Sequence, residues 1–240
     1  MMNLTEDFFL LFILGCTFLC LNLLNCKPNS LKLAAGVAHE IRNPMTSIKG
    51  FFQLFQEGVI EQKYFDTVIN EFKRIEEIIS GLINLTKPQH IGVRNVEVQE
   101  ILNDVNVLIE SEKNLHNIPI IQQFEGGIPK VNCDPNQMKQ VLLNLMKNSM
   151  EALPNGGEIH ASLSATGDEV LITVSENGIG MSEDRVQRLG EPFYSNKEKG
   201  TGLGLMLCFR IIKHHNGPIT INSSESEGTS VKIRLPIQVI

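Results

Sequence analysis

The residues best suited to chemistry lie around one histidine early in the chain. His39 is followed directly by Glu40, and Asn43 and Pro44 come one helical turn later. A neutral imidazole can attack a phosphorus atom with one ring nitrogen while a carboxylate accepts the proton held on the other. His39 and Glu40 are therefore a candidate nucleophile and base, and Asn43 lies on the same helix face as His39.

An amphipathic helix over residues 31–57 is expected to carry His39. Apolar residues recur at steps of three and four and comprise Leu33, Val37, Ile41, Pro44, Ile48, Phe51, Phe52 and Phe55. At about 100° of rotation per residue, His39 lies about 200° from both Val37 and Ile41 and points away from this stripe. An idle surface histidine is the alternative. Pro44 removes a backbone hydrogen bond and should loosen the helix.

A second helix is predicted from about Tyr64 to Thr86, with Lys87-Pro88 ending it and Glu57-Gly58 turning the chain. Its apolar residues follow a heptad-like spacing and are Phe65, Val68, Ile69, Phe72, Ile75, Ile79 and Leu82. Two helices alone leave much of both stripes uncovered, so we expect a homodimer with a four-helix bundle. Docking of the hairpin on the rest of the same chain is the alternative.

From about Val96 the pattern becomes mixed α/β, after a linker over residues 87–95. Asp134 is a predicted N-cap, with Pro135 at the first position of a helix that reaches Leu153. Another amphipathic helix is expected over Ile101–His116. The predicted strands are Pro119–Phe124, Glu158–Ser164, Val170–Glu176, Ile219–Asn222 and Ser230–Leu235.

Three groups of residues in this second part are candidates for a binding site. Asn144 and Asn148 share a helix face at i and i+4, although buried asparagines could instead cap a loop. Glu176 ends a strand and could accept the adenine amino hydrogen, while Gly178 and Gly180 allow the backbone to approach a flat ring. The glycine-rich residues 200–205 enter a helix and could bind phosphate through backbone N–H groups, with Lys197 adding a positive charge.

The string from Gly36 to Pro44 resembles the H-box of sensor histidine kinases. The resemblance implies that His39 is the phosphoacceptor and that Glu40 assists proton transfer. It also implies that Asn43 can position a water molecule for phosphatase action. The sequence of residues 191–205 most closely resembles the corresponding sequences of kinases that act in sporulation phosphorelays of spore-forming Gram-positive bacteria.

Further strings resemble the other boxes of this family, in family order. Residues 144–149 resemble the N-box, in which Asn148 would hold Mg²⁺, an ion that prefers oxygen ligands. Residues 175–180 resemble the G1 box, but Glu176 stands where the family has Asp. Residues 191–195 resemble the F-box, residues 200–205 the G2 box, and Gly228-Thr229 the G3 element. The implied nucleotide-binding set is Asn144, Asn148, Glu176, Gly178, Gly180, Phe193, Lys197, Gly200, Thr201, Gly202, Leu203, Gly204 and Thr229.

The expected fold class is α+β, with three parts along the chain. Residues 1–30 would form a membrane segment and short link, and residues 31–90 the dimerising phosphotransfer hairpin. Residues 96–240 would form an α/β-sandwich ATP-binding domain of the histidine kinase/Hsp90-like type. The expected activity is Mg²⁺- and ATP-dependent phosphorylation of His39 and transfer to an aspartate of a response regulator. The alternative is a catalytically weak adaptor or phosphatase that binds that regulator.

Composition and the N-terminal segment limit the partners and the location. A net charge of −6 gives no electrostatic reason to expect nucleic acid. The five cysteines include no CxxC pair, which argues against a zinc site.

The apolar residues 8–24 could just span a bilayer, and Lys27 and Lys32 follow them. We expect a single-pass anchor in the cell membrane with the rest of the chain cytoplasmic. A signal peptide or a lipidation site is the alternative.

Overall fold

The computed structural model describes residues 28–86, 92–110, 117–192, 194 and 202–237. The chain divides into two compact units. One unit contains a helical hairpin, and the other is formed within residues 89–190 and 204–240. The predicted change from a helical to a mixed α/β pattern lies near the first boundary between these units, and the domain bounds stay a prediction.

The hairpin consists of α1 (Pro28–Gln56) and α2 (Gln62–Thr86). The turn between them includes Gly58, whose φ of +82° is readily adopted by glycine. Two clusters of buried side chains join the helices. The clusters are Val37, Ile41, Ile78 and Leu82, and Ile48, Val68 and Ile75. The predicted stripes therefore face each other, and Ile78, which the predicted stripe lacked, is 0% exposed.

Other large apolar side chains of the hairpin are exposed to solvent. Phe52, Phe65, Ile69 and Phe72 are each 41–53% exposed. The ring of Phe65 stacks on that of Phe55 with a centroid distance of 4.6 Å. The hairpin of one chain therefore buries only part of its two predicted stripes.

The second unit is an α/β fold with a short two-stranded pairing and a five-stranded sheet. In chain order its elements are β1 (Arg94–Val96), α3 (Val98–Leu108), β2 (Ile120–Phe124), β3 (Val131–Cys133), α4 (Pro135–Glu151), β4 (Ile159–Thr166), β5 (Glu169–Glu176), α5 (Glu183–Gln187), α6 (Gly204–His214), β6 (Ile219–Ser224) and β7 (Gly228–Pro236). The large sheet has the order β2-β4-β5-β7-β6. Only its β2–β4 pair is parallel. The five strands predicted from the sequence are all present.

The helices α4 and α6 supply much of the core of this unit. Their buried residues include Val141, Leu142 and Met146 of α4, and Ile211 and Ile212 of α6, each 0% exposed. The predicted N-cap of α4 is confirmed, because the Asp134 carboxylate accepts hydrogen bonds from two backbone N–H groups of the first turn. The buried apolar face of α4 fixes the part of this helix that carries Asn144 and Asn148.

Several boundaries differ from the prediction. The helix expected over Ile101–His116 is α3, which begins three residues earlier, at Val98; this residue is 1% exposed and lies on the buried face of the helix. It ends at Leu108, and residues 111–116 lie outside the described part. Arg94 and Asn95, assigned to the linker, pair with β3 instead. The strands β1 and β3 and the helix α5 were not predicted, since three to five residues are too few to show a period.

The predicted membrane segment, residues 8–24, lies outside the described residues. Among the helices that the structure describes, none combines the length and apolar character needed to cross a bilayer. The membrane anchor therefore stays a prediction from the sequence.

Substitutions at Gly228, the first residue of β7, test the close backbone packing in the second unit. Gly228 has a φ of +97°, and an added Cβ would overlap the carbonyl oxygen of Glu176. Gly127 has a φ of +73° but nothing within 4 Å of an added Cβ, so it provides a matched control. We expect Gly127→Ala to lower the free energy of unfolding by about 1 kcal/mol, and Gly228→Ala by about 3 kcal/mol or more. Urea unfolding measures both, and equal losses would contradict the packing described here.

Candidate functional site

His39 lies on α1 with its side chain exposed, as its position on the helix predicts. Val37 and Ile41 on either side are 2% and 3% exposed and belong to the hairpin core. Asn43, one turn later, is also exposed, whereas Pro44 is buried within the continuous helix. The imidazole is therefore open to a reaction partner while its helix is held by the residues opposite.

Glu40 is held by a residue that the sequence analysis did not single out. Arg74 of α2 donates a hydrogen bond from Nη2 to Glu40 Oε2 at 3.2 Å, and both side chains are about four-fifths buried, with 20% and 22% exposed. A charge-assisted contact between partly buried groups restricts the carboxylate more than a fully exposed pair would. Arg74 directly precedes the core residue Ile75, so the second helix fixes the position of the candidate base.

Glu176 is a buried carboxylate at the end of the central strand β5, and only 6% of the residue is exposed. Alternation along the strand places it on the buried face with Val170, Ile172 and Val174. Its Oε2 accepts a hydrogen bond from the Gly178 backbone N–H. Its Oε1 is buried and has no hydrogen-bond partner among the described residues. An unpaired buried carboxylate oxygen is unfavourable, so this position suits a ligand that brings an N–H donor.

Gly178 and Gly180 each lie against the backbone of a neighbouring element. An added Cβ on Gly178 would overlap the carbonyl oxygen of Ala152, and one on Gly180 would overlap that of Ser224. Between them, the Ile179 N–H donates to Ala152 O at 3.0 Å, and Ile179 O accepts from the Ser226 N–H at 2.8 Å. The glycines therefore let the loop pass between the end of α4 and the β6–β7 turn.

Asn144 joins α4 to the start of α6. Its Nδ2 lies 3.4 Å from Gly204 O and 3.8 Å from Cys208 Sγ. Asn148 follows one turn later and is half-buried. Asn144, on the predicted Asn face of α4, thus lies beside the first residue of α6.

The other predicted nucleotide-binding residues divide into two groups. Gly202 and Gly204 are half-buried, Leu203 is 3% exposed, and Thr229 lies 3.0 Å from Ser223 between their hydroxyl oxygens. The second group lies outside the described residues and consists of Phe193, Lys197, Gly200 and Thr201.

No group of three or more His, Cys, Asp or Glu side chains within the described ranges is placed to hold a metal ion. The metal ligand predicted from the sequence is instead the amide oxygen of Asn148. An amide oxygen suits Mg²⁺, which commonly takes few protein ligands and completes its shell with phosphate oxygens and water.

Two family models match the chain. The model for the His Kinase A (phospho-acceptor) domain matches residues 30–91, which include the hairpin and His39. The model for the histidine kinase-, DNA gyrase B- and HSP90-like ATPase matches residues 133–239, which include Glu176, Asn144 and Asn148. The chain belongs to the histidine kinases. It therefore combines a phosphoacceptor domain with an ATPase domain, as the resemblance of its sequence motifs implied.

Among curated relatives, this histidine kinase chain is similar to sporulation kinases of Bacillus subtilis (strain 168). It is 46% identical to sporulation kinase E over 211 residues, which is 86% of this chain and 28% of that protein. It is 42% identical to sporulation kinase C over 209 residues, again 86% of this chain and 49% of that protein. The chain thus spans about a quarter to a half of the length of these relatives.

The chain is also similar to two solved structures. The histidine kinase ThkA, in complex with the response regulator protein TrrA, is 27% identical with a TM-score of 0.75, over 86% of this chain and 61% of that one. The histidine kinase AdeS of Acinetobacter baumannii is 19% identical with a TM-score of 0.70, over 84% of this chain and 98% of that one. The second likeness concerns the fold alone.

The thiol beside Asn144 gives a prediction about pH. Burial raises the pKa of Cys208 to about 12, although a hydrogen bond from Asn144 opposes the shift. Since the folded pKa is the higher one, the stability contributed by this thiol is complete below its unfolded value near 9.0 and is lost as the pH rises toward 12. Urea unfolding at several pH values in this window should show a shallower decline for Cys208→Ala, by about 1.4 kcal/mol per pH unit. Identical slopes would contradict a buried, protonated thiol.

Proposed function

We propose that the chain transfers the γ-phosphoryl group of ATP to His39 and then to an aspartate of a response regulator. The observation that carries the proposal is Glu176 Oε1, a buried oxygen without a described partner, in an ATPase domain that follows a hairpin with an exposed histidine. One chain thus supplies a candidate adenine acceptor and a candidate phosphoryl acceptor.

In the proposed transfer, a ring nitrogen of His39 attacks the γ-phosphorus and the bond to the bridging β,γ-oxygen breaks, releasing ADP. Glu40 accepts the proton from the other ring nitrogen. Arg74 restrains Oε2 of Glu40 at 3.2 Å and so limits the rotation of the carboxylate beside His39. Asn43, exposed one turn away, would position a water molecule for phosphatase action.

On the nucleotide side, Oε1 of Glu176 would accept the adenine amino hydrogen while Oε2 stays on Gly178. Asn148 would hold Mg²⁺, which when bound neutralises charge on the phosphates. Gly202, two residues before α6, and Gly204, its first residue, would offer backbone N–H groups to phosphate oxygens. The roles inferred for Phe193, Lys197, Gly200 and Thr201 rest on the sequence motifs.

A homodimer would cover the exposed apolar face of the hairpin. Four large side chains on this face are 41–53% exposed in the single chain, namely Phe52, Phe65, Ile69 and Phe72. Burying a large apolar side chain yields about 1.5–3 kcal/mol. A second hairpin would complete the four-helix bundle expected from the sequence.

A response regulator would bind the polar side of α1. His39, Arg42, Asn43 and Thr46 are all exposed on this helix. The likeness to ThkA, whose structure includes the response regulator TrrA, supports a partner of this class. Residues 8–24 would anchor the protein in the cell membrane, with the catalytic part on the cytoplasmic side.

One observation favours a second candidate, a weak adaptor or phosphatase. Glu176 replaces the family's Asp, and its longer side chain turns one oxygen back onto Gly178 N–H. If the second oxygen is displaced from adenine, the chain would bind the regulator but phosphorylate His39 poorly.

The proposed acceptor is tested by His39→Gln in the purified 240-residue chain with radiolabelled ATP and Mg²⁺. We expect acid-labile label on the wild type and none on the variant, because glutamine lacks a nucleophilic ring nitrogen. His160→Gln is the control, since His160 is also exposed but lies on β4. Label that persists in His39→Gln would refute the site, and an unlabelled wild type would favour the adaptor.

The proposed adenine contact is tested by Glu176→Gln and Glu176→Asp. Glutamine offers one acceptor oxygen where two N–H donors must be satisfied, so ATP affinity should fall about 10- to 100-fold. Aspartate keeps both oxygens and should bind ATP within about tenfold of the wild type. Calorimetric titration with ATP, and with GTP as the mismatched base, measures both. Equal ATP affinity for wild type and Glu176→Gln would exclude this contact.

A further inference from the structure

Asp134 makes more hydrogen bonds than a helix cap requires. Its Oδ1 accepts from Asn136 N at 2.9 Å and Gln137 N at 3.2 Å, which caps α4. Its Oδ2 accepts from the backbone N–H of Gly92 at 3.0 Å, 42 positions earlier in the chain. Only 7% of Asp134 is exposed. One buried carboxylate therefore caps the N-terminus of α4 and also accepts a hydrogen bond from Gly92, which precedes β1.

His215 holds the backbone of the same aspartate. The Asp134 N–H donates to His215 Nε2 at 2.9 Å, and His215 Nδ1 lies 2.8 Å from Ile211 O. This pair of contacts fits the neutral imidazole with its proton on Nδ1. His215 is 6% exposed and directly follows α6. The end of α6 thus fixes the start of α4, while Asn144 and Gly204 join the same helices elsewhere.

The hydrogen bond from Gly92 N to Asp134 Oδ2 sets the point at which the chain leaving α2 is first attached to the second unit. The helix α2 ends at Thr86, and five residues (87–91) separate it from Gly92. Without this bond, the next backbone attachment is Arg94, which pairs with Cys133. The connection to the hairpin would then gain two residues, or about 7 Å of maximum span. Val93 between these attachments is 52% exposed.

We propose that Asp134 is a positioning residue for phosphoryl transfer, because its Oδ2 holds Gly92 and so sets the length of the connection between the phosphoacceptor hairpin and the ATPase domain. We call the Asp134 Oδ2–Gly92 N hydrogen bond the Gly92 clasp. The inference rests on the function proposed above. In-line transfer requires close placement of the reacting atoms, so the clasp acts on the rate of transfer to His39 rather than on ATP affinity.

Two substitutions open the clasp from opposite sides. Asp134→Asn retains an oxygen for the cap, where Asn and Asp are about equally effective, but turns an NH₂ group toward the Gly92 N–H. Gly92→Pro removes the N–H itself. Gly92→Ala is the matched control, because its Cβ would lie at an ordinary 3.6 Å from Asp134 Oδ2 and the N–H remains. Asp168→Asn, at an exposed aspartate, controls for the loss of charge.

The experiment measures amide hydrogen exchange at Gly92, thermal unfolding, and the ATP dependence of His39 labelling in the 240-residue chain. In Asp134→Asn, exchange at Gly92 should accelerate about 10- to 100-fold. In both clasp variants kcat for labelling should fall at least about threefold while KM for ATP stays within about twofold. Both controls should match the wild type in all three measurements.

Three results would overturn the proposal. The first is faster Gly92 exchange with an unchanged kcat, and the second is unchanged exchange in Asp134→Asn. The third is a parallel change in unfolding temperature and KM, which would assign Asp134 a purely structural role. A wild-type chain that binds ATP but carries no label would instead refute the proposed kinase function, whatever exchange at Gly92 shows.

Discussion

The second unit is arranged around a carboxylate buried at the end of its central strand. Glu176 lies on the core side of β5, where a charged group is unfavourable unless donors surround it. One donor is the nearby Gly178 N–H, whose loop is fixed on both sides by backbone contacts to Ala152 and Ser226. These contacts require glycine where the backbones meet, so the sheet, the end of α4 and the β6–β7 turn together determine where Oε1 lies.

Whereas Glu176 is buried, the candidate phosphoacceptor His39 of the hairpin is exposed. A buried stripe anchors α1 from behind, and His39 stays exposed on the other side. The candidate base is handled differently, because Arg74 reaches it from α2 and holds it partly out of solvent. In the proposed mechanism, His39 is accessible to a phosphoryl donor and later to an acceptor, while the candidate base Glu40 is restrained.

Features set by local chemistry could be predicted from the sequence. The helical periods, the alternating strands and the Asp134 cap depend on nearby residues. The exposure of His39 likewise followed from its spacing to Val37 and Ile41 on one helix. The shortest elements, β1, β3 and α5, have too few residues to show a pattern. The Glu40–Arg74 pair and the bonds from Asp134 to Gly92 and His215 join residues 34 to 81 positions apart, which spacing alone does not reveal. The role of Gly178 likewise depended on a backbone oxygen of α4.

The most direct test of the account is a crystal structure of the chain with Mg²⁺ and a non-hydrolysable ATP analogue. The account predicts that the adenine amino group lies about 2.8–3.1 Å from Glu176 Oε1, with Oε2 still on the Gly178 N–H. A nucleotide bound with its base elsewhere, and Oε1 still without a donor, would contradict the assignment of Glu176 on which the proposed function rests.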